Sequence, residues 1–406
     1  MVDQAGVAAP VRGRWRDVAR QANLLGADGT LASTIFAEMS ALAVRTGAVN
    51  LGQGFPDSDG PQSILDDAVA QIRGGNNQYP PGRGTPGLRR AVAEHQRRFY
   101  SVDVDPESEV LVTAGATEAI AAAVMALVEP GDEVVMLEPY YDSYAACVAL
   151  AGGVRRTVPL RFPDYRLDAG ALAAAVTPRT RVVLLNSPHN PTGRVLDRAE
   201  LEAVARTAVE HDLVVVTDEV YEHLTFDGTV HTPLATLPGM AERTVTVSSA
   251  GKTFSVTGWK VGWVVAPKDL VDAVTTVKQF LTYVNAGPFQ PAVGAALGLD
   301  DGFYAGVASR LQAGRDTLVE GLLDVGFAVS VPQGTYFVVA DAAPLGYDDG
   351  LTLCRELPER AGVVAVPVRV FHDDAAAGRS LVRFAFSKRP EVITDAVARL
   401  RALHRG

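Results

Sequence analysis

Leu213-Val214-Val215-Val216-Thr217-Asp218-Glu219-Val220-Tyr221 is the stretch from which the fold is read. Its β-branched run is short and continuous, and it stops at two carboxylates. A strand that is apolar on both faces belongs inside a sheet covered on both sides, as parallel strands do. A carboxylate at its carboxyl end then faces the crevice in which such sheets bind ligands. Five similar runs surround it: Glu109–Val112, Glu133–Leu137, Arg181–Leu185, Thr244–Val247 and Lys260–Val265. Helical stretches fall between several of them, such as Thr117–Leu127 and Arg198–Val209. Apolar strands joined by helical crossovers predict an α/β protein with a mostly parallel sheet.

Outside this region the pattern changes. Residues 1–30 are polar and mixed, and read as a frayed arm leading to a helix near Ser33–Arg45. Val49 to Pro56 is an extended segment ending in a Gly/Pro turn. After residue 296 come a long helical stretch, Phe303–Leu323, short strands at Phe327–Ser330, Tyr336–Val339 and Leu381–Phe386, and a helix at Val392–Leu403. This order predicts a smaller α+β domain over 296–406, a large domain over 51–295, and an arm over 1–50 packing with the small domain.

Composition narrows the function classes. The chain has 406 residues, 48% hydrophobic and 21% charged, enough to bury a large core. With 37 basic and 47 acidic residues its net charge is −10, and no long basic run interrupts it, which argues against nucleic acid as a partner. Cys147 and Cys354 lie far apart with no CxxC spacing, and read as free thiols of a reducing compartment. The seven His and two Cys show no metal-ligand spacing. No secretory signal and no membrane-length apolar run are recognised, so the expected location is the cytoplasm, with no membrane partner.

Four polar turns carry the chemistry, each after a strand. Ala114-Gly115-Ala116-Thr117 follows Val110–Thr113 and opens an Ala-rich helix. Small residues there let backbone N–H groups approach a phosphate, though a ligand-free strand-to-helix turn has the same composition. Asn186-Ser187-Pro188-His189-Asn190-Pro191-Thr192-Gly193 is a rigid loop that aims the Asn190 amide at a ligand oxygen, or is simply a tight loop. Asp218 ends its strand three residues before Tyr221. It reads either as a helix N-cap or as a carboxylate that keeps a facing pyridinium nitrogen protonated. Lys252 sits in Ser248-Ser249-Ala250-Gly251-Lys252-Thr253-Phe254-Ser255. Most lysines are solvated surface charges, but one buried beside a second cation, here Lys260, has a lowered pKa and can form a Schiff base. Each turn is weak evidence alone; their joint presence in this order is specific.

Together they resemble the class I/II aminotransferases of PLP fold type I, from Asn50 to about Lys388. Val-Asn-Leu-Gly-Gln-Gly-Phe-Pro-Asp at 49–57 and Asn-Gln-Tyr-Pro-Pro-Gly at 77–82 are similar to the subgroup holding kynurenine and methionine aminotransferases, cysteine-conjugate β-lyases and actinobacterial N-succinyldiaminopimelate aminotransferases.

The resemblance implies pyridoxal 5'-phosphate (PLP) as cofactor, held by Lys252, which then shuttles the reaction's proton. It implies Asp218 at the ring nitrogen, Asn190 and Tyr221 at the phenolic oxygen, and Tyr141 stacked on the ring. Ala116 and Thr117 backbone N–H groups, the Ser249 hydroxyl and the Lys260 charge would hold the phosphate. Many relatives carry Arg where Lys260 stands, so this site keeps a point charge without the bidentate fork. Arg383 would fork the substrate carboxylate with help from the Gly54 N–H, and Phe36 would cover the substrate side chain. Tyr79 and Tyr283 would reach into the partner's site of a homodimer, or serve as ordinary dimer-core aromatics.

The implied reaction moves an amino group between an amino acid and a 2-oxo acid. Phe36-Ala37-Glu38-Met39-Ser40 and Gly346-Tyr347-Asp348-Asp349 favour N-succinyl-LL-2,6-diaminopimelate with 2-oxoglutarate. A kynurenine, methionine or glutamine aminotransferase and a cysteine-S-conjugate β-lyase are the alternatives. Arg83 would meet a distal carboxylate, unless it is a solvated loop arginine. The stretch before Arg383, from His372 to Ser380, is short and Ala/Gly-rich; loops near a pocket tune specificity, so it loosens any exact substrate transfer.

Overall fold

The computed structural model describes residues 11, 13–26, 29–374 and 376–405. Seven strands build the central sheet: β1 (Val110–Thr113), β2 (Glu133–Glu138), β3 (Val154–Pro159), β4 (Thr180–Asn186), β5 (Val214–Asp218), β6 (Thr244–Ser249) and β7 (Gly262–Val265). Their order is β1-β7-β6-β5-β4-β2-β3. β7 runs antiparallel to both neighbours, and the remaining pairs are parallel. The mostly parallel α/β sheet read from the apolar runs is therefore present.

The inner strands are buried along nearly their whole length, which is why their sequences are continuous rather than alternating. β3 is the exception and was not anticipated. It lies at the sheet edge, where Val154, Arg155, Arg156 and Thr157 alternate in exposure. Its two arginines blunt an edge that would otherwise invite pairing with another chain. Helix Gly115–Leu127 covers one face closely because alanines supply much of its surface. Helix Arg198–Glu210 starts on a capping box, with the Asp197 side chain accepting from Glu200 N and the Glu200 side chain accepting from Asp197 N.

A second sheet is antiparallel, with β8 (Ala328–Ser330), β9 (Phe337–Asp341), β10 (Val366–Pro367) and β11 (Leu381–Ala385) in the order β10-β11-β9-β8. Helices Asp301–Val325 and Pro390–Leu400 pack together beside it. Helix Gly350–Arg360 was not read from the sequence. Within the expected frayed arm, the described residues include a helix. Trp15–Gln21 forms a helix against Asp142–Ala151, whereas Ile35–Thr46 packs beside Gly350–Arg360, with Glu38 ion-paired to Arg355 at 2.8 Å. Val49–Asn50 pairs in parallel with Val363–Val364, and Ala385 N bonds Leu51 O at 2.7 Å. These contacts bring the Gly52–Phe55 turn to the end of β11. Both cysteines are buried and free. Among the described residues, no helix is long and apolar enough to cross a membrane.

Candidate active site

The carboxyl ends of the parallel strands deliver the polar residues to one edge of the sheet. Asn186 and Asp218 are register partners at the ends of β4 and β5, and Ser249 at the end of β6 faces Gly262 at the start of β7. The Asn186 amide donates to Asp218 O at 2.8 Å, and its Oδ1 accepts from Asn190 N at 2.7 Å. The loop after β4 is thereby fixed to the end of β5, and Asn190 is held facing the cavity.

The turn after β1 forms a cup. Gly115 has φ +74°, and a Cβ there would lie 3.1 Å from Lys260 Nζ. A Cβ on Gly262 would fall 2.6–2.8 Å from the Gly115 and Ala116 backbone. Both positions need glycine for the close approach. The first N–H groups of the helix starting at Gly115 have no intrahelical partners, and its Ala116 and Thr117 line the same cavity as Lys260. Lys260 Nζ lies 3.4 Å from Thr117 Oγ1. Partial burial and the charge of Lys252 push the Lys260 amine below its usual pKa. Oriented N–H groups, a hydroxyl and an ammonium make a phosphate-sized anion site.

Lys252 leaves the short helix Ala250–Thr253 directly after β6. Its Nζ donates to Tyr336 Oη at 3.1 Å, and Tyr336 Oη donates to Gly54 O at 2.6 Å. Asp218 is fully enclosed. Burial pushes its carboxyl above the ordinary value, while the Tyr144 hydroxyl, the Val220 amide and the Lys252 charge pull it back down. Tyr144 Oη donates to Asp218 Oδ2 at 2.7 Å, and Val220 N to Oδ1 at 3.3 Å.

Arg383, on β11, is only 2% exposed. It donates to Asn190 Oδ1 and Gly52 O, each at 3.1 Å, and its Nε has no partner. No carboxylate pairs with it among the described residues. The guanidinium lies 4.0 Å from the Phe337 ring centroid, 5.0 Å from Phe371 and 5.5 Å from Phe36. Burial pushes its pKa down to about 10. A cation held in an aromatic cage with an orphaned N–H is built to receive an anion.

One cavity of about 340 Å³ gathers Phe36, Gly54, Ala116, Thr117, Tyr141, Asn190, Asp218, Tyr221, Ser249, Lys252, Lys260 and Arg383. All twelve were named from sequence. Tyr79 and Tyr283 do not line it. Their rings meet edge to face at 5.5 Å between centroids, with Tyr79 81% exposed. Arg83 is also elsewhere: it is ion-paired to Asp272 and donates to Glu107 O and Ser108 O, each at 3.2 Å. Sequence reading missed Tyr144, Asn186, Phe337, Phe55 and Gln53, which line the cavity, and Tyr336, which bonds Lys252. Tyr144 and Asn186 had local signals: Tyr144 lies three residues past Tyr141 where a helix begins and so on the same face, and Asn186 ends its strand as Asp218 does.

Residues 46–400 match the family of class I and II aminotransferases. The chain belongs to that family. It is 57% identical over 383 residues to a probable N-succinyldiaminopimelate aminotransferase, DapC, of Mycobacterium tuberculosis, covering 92% of this chain and 96% of that one. The solved structure of the Mycobacterium tuberculosis N-succinyldiaminopimelate aminotransferase superposes with a TM-score of 0.91 at 54% identity, over 97% of this chain and all of that one. A methionine aminotransferase of Escherichia coli is 39% identical over 373 residues, 92% of this chain and 96% of its own. The aminotransferase is thus a PLP-dependent enzyme of fold type I.

Its cavity fits that cofactor on its own terms. The lining carries three cations, Lys252, Lys260 and Arg383, against one carboxylate, Asp218. A phosphate and a substrate carboxylate balance that excess, and a protonated ring nitrogen matches the single buried acid.

Proposed function

We propose that this aminotransferase moves the amino group of N-succinyl-LL-2,6-diaminopimelate to 2-oxoglutarate, with Lys252 as the proton-transfer base. The kinship at 57% identity across nearly the whole chain supports the donor. One observation carries the assignment of roles: a buried, unpaired Arg383 opens onto the same cavity as Lys252 and Asp218.

PLP, when bound, supplies an aldehyde that takes up the amino group and a ring that accepts the electrons released at Cα. The chain's own residues do the rest. Ala116, Thr117, Ser249 and Lys260 hold the phosphate. Asp218 would keep the ring nitrogen protonated, and Tyr144 favours the charged form of Asp218 by donating to it. Asn190 and Tyr221, which line the cavity, would bond the ring oxygen, and Tyr141 would stack on the ring. Arg383 and Gly54 bind the substrate carboxylate and so fix which Cα bond points at Lys252. Lys252 would remove the Cα proton and deliver it to C4′ of the cofactor; Tyr336 holds that amine in place between turns. General acid–base work of this kind contributes about 10²–10⁴-fold.

Two copies of the chain form the working enzyme in this reading. It is supported by the exposed cluster of Tyr79, Phe280, Leu281 and Tyr283. Free buried cysteines support a reducing compartment, the cytoplasm. The phenyl rings of Phe36, Phe55 and Phe337 also favour a second donor class, apolar amino acids such as methionine.

The test is a half-reaction screen of the holoenzyme that follows cofactor absorbance against a panel of amino donors. The highest kcat/KM is expected for N-succinyl-LL-2,6-diaminopimelate. A clear preference for methionine or kynurenine would replace the donor assignment, and pyruvate release from cysteine conjugates without an oxo acid would make the enzyme a lyase.

A further inference from the structure

We propose that Lys388, seated on Phe55, forms an outer anion subsite that takes the distal carboxylate of a long amino donor. The inference rests on the functional reading above and deepens it, because it names the group that would recognise the far end of the substrate.

Phe55 lines the cavity next to Gly54 and is 46% exposed, so its ring is part of the rim. Lys388 Nζ lies 4.8 Å from that ring's centroid and donates to Phe55 O at 2.8 Å. An ammonium has three N–H donors. The remaining two have no protein acceptor among the described residues, and no carboxylate lies within ion-pairing distance. Asp57, the acid whose charge reaches Lys388, is engaged by Arg389: Arg389 N donates to Oδ1 at 2.8 Å, and Nε sits 3.7 Å from Oδ2. Lys388 is half-buried, and burial pushes its pKa below the usual lysine value. A desolvated cation of this kind gains by meeting an anion.

The alternative cation is already committed. Arg83 is tied to Asp272 and to two backbone carbonyls, away from the cavity. Lys388 instead follows β11, five residues after Arg383. At roughly 3.3 Å per extended residue, the two Cα atoms are at most about 16 Å apart. A donor whose α-carboxylate sits on Arg383 and whose far end extends over a separation of that order can reach Lys388. A succinylated diamino diacid carries a carboxylate at its far end, whereas methionine has none.

The experiment compares the wild-type holoenzyme with Lys388→Met, which keeps the apolar stem on Phe55, and Lys388→Arg, which keeps the charge. Half-reaction kcat/KM is measured for N-succinyl-LL-2,6-diaminopimelate and for methionine. Lys388→Met should lower the first by about tenfold or more, the scale of a lost charge-assisted bond. It should leave methionine within about twofold, and Lys388→Arg should restore most of the loss. Equal effects on both donors, or none on either, would overturn the subsite. Should the wild type not use the succinylated donor at all, the functional reading fails first. Lys388 is then judged by binding of 2-aminosuberate against norleucine: a selective loss of the diacid supports the subsite, and an equal change refutes it.

Discussion

Tyr144 donates its hydroxyl hydrogen to Asp218 Oδ2 at 2.7 Å, and both side chains are buried. Burial alone favours the neutral form of Asp218, because desolvation raises its pKa. Tyr144 supplies the shorter of the two hydrogen bonds that hold the carboxylate in its charged form. Tyr144→Phe removes that bond and leaves the ring in place. The expected result is about tenfold weaker cofactor retention, the usual worth of a bond to a charged group. The pH dependence of the cofactor's visible band should shift as well. A cofactor titration showing unchanged affinity and an unchanged band would mean that Tyr144 only fills space.

Lys252→Ala should remove the covalent attachment of the cofactor together with turnover. Tyr336 accepts from Lys252 and remains bonded to Gly54, so the local fold has a second tie and should survive. Borohydride reduction followed by peptide mapping gives the direct readout: label at residue 252 in the wild type and none in the variant. Steady-state transamination by the variant would refute the assignment.

Much of this site was legible because each residue sits at a strand end. Asp218, Ser249 and Lys252 stand just where β-branched runs stop, and Asn190 lies between two prolines in a short loop. Tyr336, Phe337 and Lys388 were not legible, because their roles exist only through contacts with Gly54, Arg383 and Phe55, far away in sequence. The same physics explains the fold. Runs buried on both faces read clearly, whereas edge strand β3, with Arg155 and Arg156, lacks the apolar signal. Val363–Val364 and Val366–Pro367 are too short to show any period. His95 and His223 bond through Nε2 at 2.7 Å beside Glu222, a buried network invisible to ligand spacing.

Arg383→Ala should separate substrate binding from cofactor binding. The guanidinium reaches Asn190 and Gly52, and no bond to the phosphate cup is seen. kcat/KM for amino donors is expected to fall by roughly a hundredfold, with cofactor affinity changed far less. Arg383→Lys should recover little, because an ammonium lacks the planar fork. Parallel loss of cofactor and donor affinity would show that Arg383 holds the cavity together rather than binding substrate.

Glu133 offers a stability test away from the cavity. Its side chain is fully enclosed and accepts from Arg156 Nε at 2.7 Å, Arg179 Nη2 at 2.6 Å and Thr177 Oγ1 at 2.7 Å. These bonds tie edge strand β3 and the start of β4 to β2. The Arg156 bond, followed by those from Thr177 and Arg179, overcomes the cost of burial and lowers the Glu133 pKa from 4.5 to about 2. Because the folded value lies below the unfolded one, the stabilisation is complete above about pH 4.5 and is lost as pH falls towards 2. Glu133→Gln should therefore unfold at a lower temperature than the wild type at pH 7. The gap between the two melting temperatures should begin to close below pH 4.5, when measured at constant ionic strength. A gap that is the same at pH 7 and pH 3.5 would show that Glu133 stabilises the edge by packing and neutral hydrogen bonds, not by its charge.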